Sequence, residues 1–155
     1  MKILMVCLGN ICRSPLAEGI AKNLIAMRNL PWDVDSAGTI DWHEGNSPDA
    51  RSIACARKFG IDISGQISRK IRKTDLIEYD IILAMDAQNF QDVQSMDGEL
   101  ARDKLYMIMN FLHPGRNLPV PDPYYGGEDD FDQVAAMLED ACNAMLDHLE
   151  ARKLS

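Results

Sequence analysis

Long apolar runs and secretion signals are both absent from this chain. Its longest uninterrupted apolar stretches fall far short of the roughly 20 residues that a membrane-spanning helix needs. The first residues lack the basic region, the apolar stretch and the small-residue cleavage site of a secretory signal. No linker, repeat or low-complexity tract divides the chain, so we expect a single domain over residues 1–155. These absences argue against a membrane protein and predict a cytoplasmic location.

Basic charge is also scarce. Lysine and arginine together number 16, against 24 aspartates and glutamates, which gives a formal net charge of −8 and an isoelectric point near 4.8. This balance argues against general nucleic-acid binding and against docking on an anionic membrane. It also disfavours long-range attraction of an anionic substrate. Any phosphate binding must therefore depend on a local field built by backbone amides and Arg13.

Cysteine and histidine are few and widely spaced. The four cysteines are Cys7, Cys12, Cys55 and Cys142. They form no C-x-x-C pair, and without a secretion signal we expect reduced thiols rather than a disulfide framework. The three histidines are His43, His113 and His148. They lack the close spacing of zinc ligands, so we do not expect a metal site.

The most informative stretch of the chain is residues 3–20. An apolar run over residues 3–6 predicts a buried strand that delivers Cys7 to its carboxyl end, the edge of an α/β sheet where ligands bind. Gly9 and Asn10 follow, and these residue types accept positive φ most readily. The loop can therefore curl and direct successive N–H groups inward.

A helix is predicted to begin directly after this loop. Pro15 suits a first helical turn, where a missing N–H has no consequence, and Ser14 before it is a good N-cap. The start of a helix offers partial positive charge and free N–H donors, which suit a phosphate or a thiolate. Arg13 lies at the same point. Residues 7–15 thus predict an anion-binding cradle.

Apolar periodicity indicates an alternation of strands and helices. The predicted strands cover 2–7, 32–35, 79–85 and 104–109, and the predicted helices cover 15–28, 48–59, 87–93 and 131–149. Such alternation predicts an α/β fold with a doubly wound parallel sheet. The basic run 69–73 is interpreted as solvated surface, with a docking patch for acidic phosphopeptides as the alternative. Residues 111–122 form a long loop stiffened by prolines, and such loops are usually functional.

Four motifs together resemble a known family. They are Val-Cys-Leu-Gly-Asn-Ile-Cys-Arg-Ser-Pro at 6–15, Asp-Ser-Ala-Gly-Thr at 35–39, Ala-Met-Asp at 84–86 and Asp-Pro-Tyr-Tyr at 122–125. Their sequence and order resemble the low-molecular-weight protein tyrosine phosphatases over nearly the whole chain. The resemblance implies a four-stranded parallel sheet with helices on both faces. It also implies hydrolysis of phosphotyrosine monoesters without metal or cofactor.

The resemblance assigns the central chemistry to three residues. Cys7 would be the nucleophile, because a soft thiolate ringed by N–H donors can attack a phosphate ester whose oxygens repel other anions. Arg13 would hold two phosphate oxygens with its planar fork. Asp122 would protonate the leaving phenolate and, as a carboxylate, activate the water that hydrolyses the cysteinyl phosphate.

Supporting roles also follow from the resemblance. The loop that would bind the phosphate comprises Leu8, Gly9, Asn10, Ile11, Cys12 and Ser14. Asn10 and Ser36 resemble the pair that holds the loop's shape, and Ser14 resembles the hydroxyl that donates to the thiolate. Asp86 matches a position near the pocket to which the residues alone give no role. In the family the second cysteine, here Cys12, can trap an oxidised Cys7 as a disulfide.

Apolar and aromatic side chains are expected to form the walls of the pocket. They are Ile11, Trp42, Tyr124 and Tyr125. Such walls favour an aryl phosphate through stacking and apolar burial. The expected partner is a phosphotyrosine-containing protein, and a tyrosine kinase could in turn phosphorylate Tyr124 or Tyr125. We expect a monomer or weak homodimer that binds no nucleic acid or membrane.

Other functions are compatible with parts of the pattern. Arginine phosphatases share this scaffold and resemble this chain. They differ from it in having a threonine at the position of Ile11 and a smaller pair of residues after Asp-Pro. Arsenate reductases with a similar loop need a closely spaced downstream cysteine pair, which Cys55 and Cys142 do not form. A non-catalytic phosphotyrosine-binding protein could dispense with Cys7 or Asp122, and cysteine phosphocarriers of similar shape lack Arg13.

Overall fold

The computed structural model describes residues 1–154 and contains four strands and six α-helices in that range. The strands are β1 (Lys2–Cys7), β2 (Asp33–Gly38), β3 (Ile81–Ala84) and β4 (Leu105–Met107). The helices are α1 (Arg13–Met27), α2 (Ala50–Lys58), α3 (Lys73–Glu78), α4 (Ala87–Met96), α5 (Gly98–Ala101) and α6 (Glu128–Leu154).

The strands form one parallel sheet in the order β2-β1-β3-β4. β1 lies in the interior, paired on one side with β2 and on the other with β3. Its five residues Ile3–Cys7 are buried, because both faces of a parallel sheet are covered. The predicted four-stranded parallel sheet is confirmed.

Side chains alternate between the two faces of β1 and divide the core into two halves. Ile3, Met5 and Cys7 point into the half that α1, α2 and α6 cover. Leu4 and Val6 point into the half that α3, α4 and α5 cover. The expectation of helices on both faces is therefore confirmed, and Cys7 ends its strand on the side of α1. None of the helices within residues 1–154 is long and apolar enough to cross a bilayer.

The structure departs from the predicted elements in several places. The short helices α3 and α5 lie in segments with no predicted helix, since each has too few residues to show a periodic apolar stripe. The fourth strand ends at Met107, where a 3₁₀ turn over Ile108–Asn110 takes over. The second strand is longer than predicted and continues through Ser36 to Gly38.

Candidate active site

The loop between β1 and α1 has its carbonyl groups held from outside. The backbone N–H groups of Thr39, Ile40 and Asp49 and the hydroxyls of Ser68 and Ser52 donate to these carbonyls, at distances between 2.8 and 3.1 Å. The accepting carbonyls belong to Cys7, Leu8, Gly9, Ile11 and Cys12. In a planar trans peptide the next residue's N–H points opposite to the carbonyl. The N–H groups of this loop therefore converge on its interior.

The sulfur of Cys7 lies at the floor of this bowl. The backbone N–H of Asn10 donates to Cys7 Sγ at 3.3 Å. Asn10 has a φ of 56°, as the sequence predicted, whereas Gly9 does not have a positive φ. A Cβ on Gly9 would instead lie 3.1 Å from His43 Cδ2, and one on Gly38 would lie 2.7 Å from the carbonyl oxygen of Leu8. The absence of a side chain at Gly9 therefore lets the loop approach His43, and its absence at Gly38 lets the end of β2 approach the loop.

Ser14 is not the helix N-cap that the sequence suggested. Helix α1 begins two residues earlier than predicted, with Cys12 at the N-cap position and Arg13 as the first helical residue. Ser14 is fully buried, and its Oγ lies 3.0 Å from Cys7 Sγ. The Asn10 side-chain amide donates to the same Oγ at 2.8 Å, which leaves the hydroxyl proton of Ser14 free to point at the sulfur. The hydroxyl serves the thiol rather than the helix.

A buried hydrogen-bond network continues from Asn10 away from the pocket. The Asn10 amide donates to Ser36 Oγ at 2.9 Å, and Ser36 donates to Glu18 Oε1 at 2.8 Å. Lys22 donates to the other oxygen of Glu18 at 2.7 Å. The side-chain oxygen of Asn10, Oδ1, accepts the backbone N–H of Arg69 at 3.1 Å. Hydrogen bonds therefore fix both the nitrogen and the oxygen of the Asn10 side-chain amide.

Burial raises the pKa of the Glu18 carboxyl above its ordinary value of 4.5, against hydrogen bonds from Lys22 and Ser36 that act to lower it. The folded protein thus holds this proton to a higher pH than the unfolded chain does. We expect the unfolding free energy of the wild type, relative to Glu18→Gln, to fall as the pH rises from 4.5 through the raised folded-state pKa. Urea unfolding of both proteins across that range measures the difference. A difference that is constant or increases with pH would contradict the prediction.

Arg13 lies beside the loop and is only 3% exposed. Its Nη1 donates to Asp86 Oδ2 at 2.7 Å and to the carbonyl of Val120 at 3.0 Å. The other oxygen of Asp86 accepts the backbone N–H of Asn89 and caps α4. Asp86 thus fixes the Arg13 guanidinium, a role that could not be derived from the sequence.

Asp122 reaches the same site from the other end of the chain. Its Oδ2 lies 3.8 Å from Arg13 Nη2, and its Oδ1 accepts the backbone N–H of Tyr124 at 3.1 Å. The carboxyl side chain is 42% exposed and lies on the wall of the cavity above Cys7. A thiol and a guanidinium from the start of the chain and a carboxyl group more than a hundred residues later therefore share one pocket.

The pocket above Cys7 has a volume of about 200 Å³. Its lining comprises Cys7, Leu8, Gly9, Ile11, Cys12, Arg13, Ile40, Trp42, His43, Asp122, Tyr124 and Tyr125. Of the predicted site residues, Asn10, Ser14, Ser36 and Asp86 lie behind this surface and support it. Ile40 and His43 were not predicted, since nothing in the sequence marks which residues of a polar loop face a pocket.

The other three cysteines are buried, as Cys7 is. Burial, with Asp49 and Cys7 nearby, raises the pKa of Cys12 far above neutrality. Burial also raises the pKa of Cys55 to about 11 and that of Cys142 to about 12. The prediction that Cys55 and Cys142 are buried is confirmed. The structure has Cys7 and Cys12 as free thiols, so a disulfide between them stays a prediction.

A thiol beneath converging amides, with an arginine and a carboxyl group at its rim, defines the cysteine-dependent phosphatase class. Comparison with known proteins narrows the class. The sequence model of one protein family, the low molecular weight phosphotyrosine protein phosphatases, matches residues 2–154. The enzyme of that name from Sus scrofa is 37% identical, over 94% of this chain and 93% of its own. The chain belongs to this family.

Solved structures agree with the sequence matches. A protein tyrosine phosphatase from Entamoeba histolytica, with Hepes in its active site, superposes with a TM-score of 0.93 at 39% identity and covers 99% of both chains. An arginine phosphatase from Drosophila superposes with a TM-score of 0.89 at 32% identity, covering 96% of this chain and 98% of its own. The function of this protein is that of a low-molecular-weight protein tyrosine phosphatase, and the family prediction is confirmed.

Proposed function

We propose that Cys7 attacks the phosphorus of a phosphotyrosine side chain and forms a cysteinyl phosphate while the phenolate leaves. The bowl of N–H groups binds the phosphate oxygens, and the free face of the Arg13 guanidinium neutralises the charge that develops on them. Asp122 donates its proton to the phenolate oxygen as the P–O bond breaks. The observation that carries this proposal is the meeting of Cys7, Arg13 and Asp122 in one cavity.

The second half of the reaction uses the same residues. Asp122, now a carboxylate, takes a proton from a water molecule that attacks phosphorus, and the S–P bond breaks to release inorganic phosphate and the Cys7 thiolate. The hydroxyl of Ser14, 3.0 Å from the sulfur, stabilises the thiolate as it leaves. Asp86 keeps Arg13 in place through both steps.

The shape of the pocket supports an aryl substrate. Cys7 is 3% exposed, so the phosphate ester of a protein can reach it only at the end of a side chain that is long enough to enter the cavity. Phosphotyrosine meets this requirement better than phosphoserine. The walls include Ile11, Tyr124 and Tyr125, which suit a flat apolar ring. Phosphoarginine is the second candidate, because an arginine phosphatase has the same fold.

The proposal extends to the setting of the reaction. The substrate would be a phosphotyrosine-containing protein rather than a free metabolite, since Trp42 and Tyr125 are 80% and 94% exposed and border the pocket where a peptide backbone would lie. A tyrosine kinase is one candidate partner. A cytoplasmic location would keep Cys7 reduced and therefore active.

Three phosphopeptides of the same sequence test the substrate preference. We expect kcat/KM to be highest for the phosphotyrosine peptide, by about 10-fold or more over the phosphoarginine peptide, because the apolar wall at Ile11 offers a guanidinium no hydrogen-bond partner. The phosphoserine peptide serves as the short-side-chain control. Each rate is measured with a chelator present. Faster turnover of phosphoarginine would reverse the proposed choice of substrate.

A further inference from the structure

Arg51 lies outside the phosphate-binding loop and yet is fixed relative to it. Its Nε and Nη2 each donate to a different carboxylate oxygen of Asp49, both at 3.0 Å. Asp49 caps α2 by accepting the backbone N–H of Arg51, and its own N–H donates to the carbonyl of Ile11 at 2.8 Å. The hydrogen bonds from Arg51 hold the pKa of the Asp49 carboxyl below its ordinary value. The guanidinium therefore has a defined position beside the loop.

The other side of the same guanidinium contacts the segment that carries Asp122. Nη1 donates to the carbonyl of Gly126 at 3.3 Å. The guanidinium carbon lies 5.5 Å from the centre of the Tyr124 ring and 4.8 Å from that of the Phe131 ring. Phe131 is 1% exposed, so it is a rigid support. Arg51 thus joins the buried core of α6 to the ring of Tyr124.

The two tyrosines at the pocket differ in how they are held. Tyr125 is 94% exposed, so burial contributes little to its placement, whereas Tyr124 is 37% exposed and its ring lies under the Arg51 guanidinium. Tyr125 packs edge-on against Tyr124, with 4.9 Å between ring centres and 84° between ring planes. The position of the second ring therefore depends on that of the first.

We propose that Arg51 is a positioning residue for substrate selection: it holds Tyr124, and through it Tyr125, as a preformed wall for the aryl ring. The inference rests on the proposed function in that the ring belongs to the substrate. A preformed wall avoids the entropy cost of ordering the two side chains when the ligand binds. Phosphate itself contacts the loop and Arg13, so it does not sense the wall.

The test compares Arg51→Gln with Arg57→Gln, an exposed arginine on the same helix that leaves the two tyrosines untouched. The probes are phenylphosphonate and inorganic phosphate, whose Kd values are measured by titration calorimetry. In Arg51→Gln we expect phenylphosphonate to lose about three- to tenfold more affinity than phosphate, whose binding changes only through the lost positive charge near Cys12. For aryl phosphate hydrolysis the KM should rise by a similar factor with kcat preserved. Arg57→Gln should match the wild type throughout.

A second background separates positioning from a direct contact with the ligand. In Tyr124→Leu, the further change Arg51→Gln should weaken phenylphosphonate binding no more, because the ring through which Arg51 acts is already gone. Unchanged phenylphosphonate binding in Arg51→Gln would overturn the inference. A parallel loss of phosphate binding, or an additive loss in the Tyr124→Leu background, would do the same. Because the probes are not hydrolysed, the inference can fail or stand independently of the proposed reaction.

Discussion

Cys7→Ser is expected to lose aryl phosphate hydrolysis almost completely, by a factor on the order of 10⁴ or more, while it continues to bind inorganic phosphate. A serine hydroxyl is not ionised at neutral pH, and the groups hydrogen-bonded to position 7 do not include a base: Asn10 and Ser14 both act as donors toward it. The loss would appear in kcat, measured with a large excess of enzyme if necessary.

Phosphate binding should survive because the cradle does not depend on the sulfur. The carbonyls that orient the loop are held by Thr39, Ile40 and Asp49 and by two serine hydroxyls, and none of these groups contacts Cys7 Sγ. The substitution also removes the charge that a Cys7 thiolate would place at the floor of the bowl, and this loss would favour the binding of an anion. Calorimetric titration with inorganic phosphate provides the measurement.

Cys55→Ser is the matched control for this substitution. Cys55 is buried like Cys7, and its sulfur donates to the carbonyl of Phe131 at 3.4 Å, a hydrogen bond that serine can retain. Its side chain is not part of the pocket wall. We expect the wild-type rate. Hydrolysis at the wild-type rate by Cys7→Ser, or a phosphoryl group trapped by acid quench on a residue other than Cys7, would refute the nucleophile assignment.

The sequence was sufficient to predict the parts of the site that depend on neighbours in the chain. The apolar run into Cys7, the residue with positive φ at Asn10 and the arginine at the start of α1 are all encoded within a few residues, because a strand, a curled loop and a helix start are local structures. The pairing with Asp122 came only from resemblance to a family. Nothing local to Asp-Pro distinguishes an acid catalyst from a turn.

The family resemblance supplied Asn10, Ser14 and Ser36, but the extension of their network through Glu18 was out of reach for a physical reason. Glu18 lies between apolar neighbours on α1, and its spacing from Lys22 fits an i, i+4 ion pair on a solvated helix face. Its burial against Ser36 depends on how α1 packs on β2. Similarly, Arg69 in the basic run forms ion pairs with Asp75 at 2.8 Å and with Asp35 at 3.4 Å, and its side chain is only 18% exposed. The interpretation of that run as solvated surface was wrong for Arg69.

Asp122→Asn is expected to lower kcat/KM for phosphotyrosine by about 10²-fold or more. The amide can still accept the backbone N–H of Tyr124 that fixes the carboxyl at 3.1 Å, so the loop should keep its shape. What is lost is the proton for the phenolate oxygen. Asp129→Asn, which changes an exposed carboxyl at the start of α6, is the control and should retain the wild-type rate.

The two roles of Asp122 can be separated by changing the leaving group. The ratio kcat/KM reports the steps up to release of the phenol, so its loss in Asp122→Asn should shrink for a nitro-substituted aryl phosphate, whose phenolate leaves without a proton. The later hydrolysis of the cysteinyl phosphate still needs a base, so kcat should stay low for both substrates and nitrophenol should be released in a burst. An equal loss of kcat/KM for both leaving groups would show that Asp122 is not the acid. A loss of kcat/KM that shrinks as predicted, without any burst, would assign it the first step alone.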